Sequence, residues 1–255
     1  REKSIPMHMG KITKYNNNYA VYFGIQGMGG HQGDALQFLD PQTGNILQHN
    51  LSWTWGCSHS IDERLTVYQN TLIPICLSDY YPSALAHRIN TKYGSKVIVP
   101  EVRHYNGIGS GNVGGMILYN DHAIIAMSSS YSRSSRDAVL VAFSVHSPYT
   151  SKGRLWLTDT SENEIKVKIA NYGSKILLMW TTTQNPKRFI MKIIDVIFND
   201  SGFTINVLKE EENMDFEIGE IEDLATTPNK DVIAAARVPN EPNKIQIQLI
   251  KKCNE

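Results

Sequence analysis

The chain has 255 residues, of which 41% are hydrophobic, so it can form one large domain with a real core. Its 25 Lys and Arg balance its 25 Asp and Glu, and a formal net charge of zero provides no field to recruit nucleic acid or an anionic surface. No apolar run approaches the roughly 18 residues that cross a bilayer. We therefore expect no nucleic-acid partner and no insertion into a membrane.

Cysteines and glycosylation signals bear on the compartment. Of the three cysteines, Cys57 and Cys76 could form a disulfide with Cys253 left over, or all three could be reduced and partly buried. Two sequons, Asn50-Leu-Ser and Asn199-Asp-Ser, are typical of secreted proteins, although such triplets also arise by chance. The sequons favour a secreted or extracellular protein, and the compartment itself stays open.

A turn followed by an apolar strand recurs five times along the chain. The repeat begins at Tyr15, Tyr68, Tyr119, Tyr172 and Pro228, at successive spacings of 53, 51, 53 and 56 residues. A near-constant period over a whole chain indicates repeated structural units. In each unit a strand enters the turn, a second leaves it, and a third follows a polar loop.

The later strands of each unit follow in chain order. Third and fourth strands are predicted at 35–40 and 46–51, at 84–89 and 96–102, at 138–143 and 154–157, and at 188–195 and 203–208. The fifth unit has a third strand alone, at 244–250, where isoleucine and glutamine alternate. We expect residues 4–9 to supply its missing strand, because pairing the two ends would close a ring and remove an exposed edge.

Units of about 50 residues with four short antiparallel strands and no amphipathic helix are typical of β-propeller blades. The chain resembles the β-propeller repeat proteins over essentially its full length. The resemblance lies in the blade repeats and points to no particular family, since no WD dipeptide, kelch pattern or sialidase box is present. It implies an all-β fold in which residues 1–255 form a single propeller domain. Its four-stranded blades would span residues 10–52, 62–103, 112–158, 165–208 and 220–255, with six or more blades if the chain is a fragment.

A blade topology places the loop between the second and third strands and the link to the next blade on one face. The first three units contribute most of the charged, histidine and aromatic residues on that face. The candidate ligand-binding residues are His31, Asp34, Trp55, His59, Asp62, Asp79, Tyr80, Arg133 and Asp137. Aromatic rings stack on the C–H faces of sugars while carboxylates and amides bind hydroxyls, so the set suits a carbohydrate, and it also suits a peptide.

These residues also have structural interpretations. Trp53 or Trp55 could pack between blades, and the two guanidinium groups of Arg133 and Arg136 could simply pair with Asp137. The histidines are scattered without a close pair, so we predict no metal site and no cofactor.

Two functions from different classes follow from the residues. The first is a non-catalytic recognition propeller of lectin type, with its ligand on the loop face of the first three blades. The second is a glycosidase using Asp34, Asp62 and Asp79, which requires a pair of carboxyl groups about 5 to 9.5 Å apart with one raised pKa. A scaffold subunit with protein partners is a further alternative. We favour binding and assign no catalytic residue, because no motif establishes catalysis.

Overall fold

A computed structural model describes residues 5–6, 11–26, 32–51, 61–69, 71–78, 83–88, 95–103, 111–130, 133–146, 151–183, 187–212, 220–238 and 241–252. All the secondary-structure elements assigned within these ranges are β-strands. Within them, no helix is long and apolar enough to span a membrane. The chain divides into two compact units, Arg1–Val113 and Gly114–Glu255, which are described in turn.

The first unit contains two antiparallel sheets. The first sheet consists of β1 (Ile5–Pro6), β2 (Lys11–Tyr15), β3 (Asn18–Gln26), β4 (Gln32–Leu39) and β5 (Ile46–Leu51). The second consists of β6 (Ile61–Tyr68), β7 (Thr71–Ser78), β8 (Ser83–Arg88) and β9 (Ser95–Arg103). Alternate residues of β3 and β4, including Ala20, Tyr22 and Leu36, are buried together with Leu72 of β7. The two sheets of this unit therefore pack face to face.

The N-terminal strand lies elsewhere than the sequence predicted. Ile5 and Pro6 pair with Gln26 and Ile25 of β3, so for these two residues the expected pairing with the last strand is wrong. The physical reason is the length of β3. Strand β2 pairs only with residues 18–22 of β3, which leaves the far end of the same edge open for β1. The other residues of the 4–9 segment lie outside the described part of the chain.

The second unit contains three sheets, each a meander in chain order. The third sheet consists of β10 (Gly111–Tyr119), which begins at the end of the first unit, β11 (His122–Ser129), β12 (Asp137–Ser144) and β13 (Ser151–Trp156). The fourth consists of β14 (Glu164–Tyr172), β15 (Lys175–Thr182), β16 (Phe189–Phe198) and β17 (Phe203–Glu212). The fifth consists of β18 (Glu220–Thr226), β19 (Val232–Val238) and β20 (Glu241–Ile250).

The fourth sheet is covered on both faces, as its central strand shows. Along β15, Leu178 and Trp180 belong to the core shared with β12 of the third sheet. The alternate residues Leu177 and Met179 belong to a second core with β19 of the fifth sheet. Because successive side chains of a strand point to opposite faces, a continuous apolar run is what a strand between two sheets requires. The three sheets are therefore stacked in chain order.

Glycine permits a close approach between the third and fourth sheets. A Cβ atom on Gly114 of β10 would lie 1.6 Å from the carbonyl oxygen of Val167 in β14. A Cβ atom on Gly115 would lie 2.8 Å from Cγ2 of Ile169. Only residues without a side chain fit at this contact.

The repeated turn has a repeated backbone conformation. The residue after each tyrosine that begins a repeat has a positive φ: 52° at Asn16, 50° at Gln69, 46° at Asn120 and 60° at Gly173. In the fifth unit Lys230 has a φ of 63°. Asparagine and glycine tolerate this left-handed region, which tight hairpin turns require. The repeat in the sequence is thus a repeat in the structure.

Candidate functional site

Two of the predicted ligand-binding residues, Arg133 and Asp137, have described side chains. Asp34 and Asp62 fall within β4 and β6, but their side chains lie outside what the structure describes. The remaining members of the set also lie outside the described residues: His31, Trp55, His59, Asp79 and Tyr80. For these seven residues a ligand-binding role stays a prediction.

Two loops meet at one end of the third sheet, the β11–β12 loop and the link from β13 to β14. The amide nitrogen of Glu164 donates to the carbonyl oxygen of Arg136 at 2.7 Å, and the amide nitrogen of Arg136 donates to Oδ1 of Asn163 at 2.8 Å. The hydroxyl of Ser135 also donates to the carbonyl oxygen of Thr160. In this sheet the two kinds of loop that were predicted to share a face do so.

Asp137, the first residue of β12, holds the link in place. Its side chain is buried, and Oδ1 accepts hydrogen bonds from the hydroxyl of Thr158 at 3.1 Å and the amide nitrogen of Thr160 at 3.2 Å. Oδ2 lies 3.6 Å from Nη1 of Arg133. A buried carboxylate needs such partners, and here they belong to the chain itself. These contacts position the loops.

Glu164, the first residue of β14, is a buried carboxyl group that sequence reasoning missed. Burial raises its pKa to about 7, the nearby Asp137 adds to this rise, and the hydrogen bond from Thr160 opposes it. The hydroxyl of Thr160 donates to Oε1 at 2.9 Å, while Oε2 has no hydrogen-bond partner in the described part of the chain. In the sequence Glu164 is one acid in a polar link, and nothing there distinguishes it from Glu162.

A charged and aromatic surface lies next to these buried acids. It is formed by Arg133, Trp156, Asp159 and Arg154, whose guanidinium carbon lies 5.7 Å from the centroid of the Trp156 ring, and we call it the third-sheet surface. The guanidinium carbon of Arg133 lies 4.4 Å from the centroid of the Trp156 ring, within range of a cation–π contact. Nη1 of Arg133 lies 2.6 Å from Oδ1 of Asp159, whose side chain is 88% exposed. This surface can offer hydrogen-bond donors, a carboxylate and part of an indole ring to a ligand.

An ion-pair network joins the fourth and fifth sheets at the end where β14 and β18 begin. Lys166, with a φ of 53°, lies at a bulge of β14, and its Nζ is 3.0 Å from Glu220 and 2.7 Å from Glu222. Lys187 pairs with Glu220 at 3.0 Å and Arg237 with Glu222 at 2.5 Å. Burial alone would lower the pKa of Lys166, but its hydrogen bonds to both carboxylates raise it. This network fastens one sheet to the next.

Within the described residues no cluster of three or more histidine, cysteine or acidic side chains has the geometry to hold a metal ion.

Comparisons with known proteins bear on the fold. No family model matches the chain, and no curated protein matches it in sequence. Among solved structures it is similar to a thermostable family-43 glycoside hydrolase, with a TM-score of 0.50 and 10% identity over 94% of this chain and 88% of that one. It is also similar to the Bacteroides ovatus protein described as xyloglucan PUL GH43B, with a TM-score of 0.49 and 9% identity over 92% of this chain and 50% of that one.

A third similar structure is an alpha-L-arabinofuranosidase of Podospora anserina solved with cellotriose, with a TM-score of 0.48 and 11% identity over 96% of this chain and 90% of that one. The chain spans half the length of the Bacteroides ovatus protein. At such identities the likeness concerns the fold, which is all-β and propeller-like.

Proposed function

We propose that this chain is a non-catalytic recognition propeller of five blades that binds a carbohydrate at the third-sheet surface. The observation that carries the proposal is the contact of Arg133 with both Trp156 and the exposed carboxylate of Asp159. Arg133 lies in the loop between the second and third strands of the sheet, Trp156 ends the fourth strand, and Asp159 follows it in the link. A sheet that holds these residues in place lowers the entropy cost of binding.

The third-sheet surface has a donor and an acceptor side by side, which suits two neighbouring hydroxyl groups of a ligand. Both ion pairs of Arg133 use Nη1, and in the described part of the chain no hydrogen bond engages its Nη2 or Nε. A guanidinium edge donates and the adjacent carboxylate accepts, so two hydroxyls of one sugar ring can be bound together. The indole ring of Trp156 adds apolar contact for C–H groups. A peptide offers fewer paired hydroxyls and fits this surface less well.

A glycan array tests this proposal directly. The purified wild-type chain should give saturable binding to a restricted set of glycans, and prolonged incubation with those glycans should release no reducing sugar. Arg133→Ala should lose the signal, whereas Lys192→Ala, which removes a cation from the middle of the fourth sheet, should keep it. A blank array alongside binding to a peptide library would replace the carbohydrate by a peptide ligand, and turnover would replace binding by catalysis.

A glycosidase is the second candidate, and one observation favours it. Thr160 brings together two carboxyl groups, Asp137 and Glu164, and the pKa of one is raised to about 7, as a general acid requires. Against it stands burial, because both residues are only 1% exposed and a catalytic carboxyl group must touch its substrate. If the chain hydrolyses any array glycan, Glu164→Gln should abolish turnover while leaving binding intact. Turnover retained by Glu164→Gln would exclude this pair as the catalytic groups.

A further inference from the structure

The hairpin between β16 and β17 ends in a sequon displayed on the surface. Asn199, Asp200 and Ser201 are all exposed, and they occupy the tip of the hairpin. The amide nitrogen of Asn199 donates to the carbonyl oxygen of Gly202 at 3.0 Å, which closes the turn. An Asn-x-Ser triplet is an acceptor for N-linked glycans wherever the enzyme and its donor can reach it.

The side-chain amide of Asn199 is oriented in a way that suits modification of its nitrogen. Its Oδ1 accepts from the amide nitrogens of Ser201 at 3.0 Å and Gly202 at 2.7 Å, and from the hydroxyl of Ser201 at 3.2 Å. All three bonds fall on the oxygen, and in the described part of the chain none engages Nδ2. The nitrogen that would bear the sugar is therefore directed away from the turn, and the hydroxyl of the sequon already contacts the acceptor amide.

We propose that Asn199 is an N-glycosylation site and that its glycan stands at the opposite end of the fourth sheet from Glu164. In the transfer, Nδ2 loses a proton and forms a bond to C1 of the first sugar. The bond from C1 to phosphate in a polyprenyl-diphosphate-linked oligosaccharide breaks, and the diphosphate leaves. No oxidant or reductant is needed.

Strand β16 separates Asn199 from the end of the fourth sheet at which Glu164 lies. Strand β16 starts at the loop end, where Phe189 pairs with Thr181, and ends at Phe198 beside the sequon. Ten residues of strand extend about 30 Å. Lys152 anchors the turn by donating from Nζ to the carbonyl oxygens of Asn199 at 3.1 Å and Asp200 at 3.2 Å, contacts that a sugar on Nδ2 leaves in place. A glycan here can solubilise the protein and leave the other end of the sheet open.

The test is secretion of the full chain from human cells behind a cleavable signal sequence. Digestion with a peptide N-glycosidase should increase the electrophoretic mobility and convert Asn199 to Asp in the tryptic peptide 193–209. Asn199→Gln should reduce the mobility change, and Ser201→Ala should abolish the conversion of Asn199 to Asp. Ser201→Thr and Asn50→Gln should both keep that conversion.

Two results would overturn the proposal. One is a secreted wild-type chain, folded by its thermal transition, whose peptide 193–209 carries no sugar. The other is an Asn199→Gln chain whose mobility change persists unaltered. The Ser201→Thr variant guards against misfolding as an explanation, because it keeps both the turn and the hydroxyl while it changes the sequon to its other form.

Discussion

Asp137 and Glu164 share one partner, Thr160, whose amide nitrogen donates to the first carboxyl group and whose hydroxyl donates to the second. The two acids begin strands of adjacent sheets, β12 and β14. The link between the sheets is thus fixed at both of its ends by buried side chains. Asp159 is an exposed residue of this link, and its carboxylate forms an ion pair with Arg133.

The raised pKa of Glu164 predicts a pH dependence of stability. Since its pKa in the folded chain, about 7, exceeds the ordinary glutamate pKa of 4.5, the folded chain binds this proton more tightly than the unfolded chain. The resulting stabilisation is complete below about pH 4.5 and is lost as pH rises through 7, a change of roughly 3 kcal/mol. Urea unfolding of wild type and Glu164→Gln from pH 5 to 8 should show the wild type losing stability relative to the variant.

A surface acid provides the control for this measurement. Glu210→Gln, at a side chain 45% exposed and paired with Lys192, should leave the pH profile of unfolding parallel to that of the wild type. Parallel profiles for the Glu164→Gln and wild-type chains would contradict the account of this carboxyl group.

Gly114→Ala should destabilise the second unit. The added Cβ would overlap the carbonyl oxygen of Val167, which is backbone and cannot rotate away. We expect the free energy of unfolding to fall by at least about 2 kcal/mol, the range of overpacked cores. At Gly202 a Cβ would lie 3.4 Å from the nearest atom, so Gly202→Ala should change stability little. Equal stabilities of the two variants in denaturant titration would show that the sheets do not approach so closely.

The ion pair of Lys166 and Glu222 should contribute measurably to the contact of the fourth and fifth sheets. A double-mutant cycle with Lys166→Met and Glu222→Gln should give a coupling energy of about 1 kcal/mol, falling with added salt. Both side chains are less than a third exposed, so solvent screens the pair only in part. The pair of Lys209 and Glu211, whose side chains are 52% and 34% exposed, is the more exposed control, with a smaller coupling expected. Equal coupling in the two cycles would refute a special role for Lys166.

The sequence predicted the strands and turns because these depend on local pattern. The turn after Tyr119 was visible from its Asn-Asp pair, and the strand predicted at 203–208 is the beginning of β17. The position of the N-terminal strand was predicted wrongly, because which edge Ile5 joins depends on the length of β3 and not on the residues themselves.

The candidate site was predictable only in part. Arg133 and Asp137 stood out as opposite charges in a serine-rich loop, and the structure places them 3.6 Å apart. Trp156 and Asp159 were missed, because their approach to Arg133 depends on how β13 and its following link lie against the β11–β12 loop. Glu164 was missed because burial, which raises its pKa, leaves no mark in the local sequence.

Calorimetric titration of the strongest array glycan into the wild-type chain and Asp159→Ala tests the central claim most directly. Asp159 is 88% exposed, so its removal should leave folding intact. Loss of a charged hydrogen-bond acceptor should weaken binding about tenfold or more, while Glu211→Ala binds as the wild type does. An Asp159→Ala chain with wild-type affinity would contradict carbohydrate recognition at the third-sheet surface.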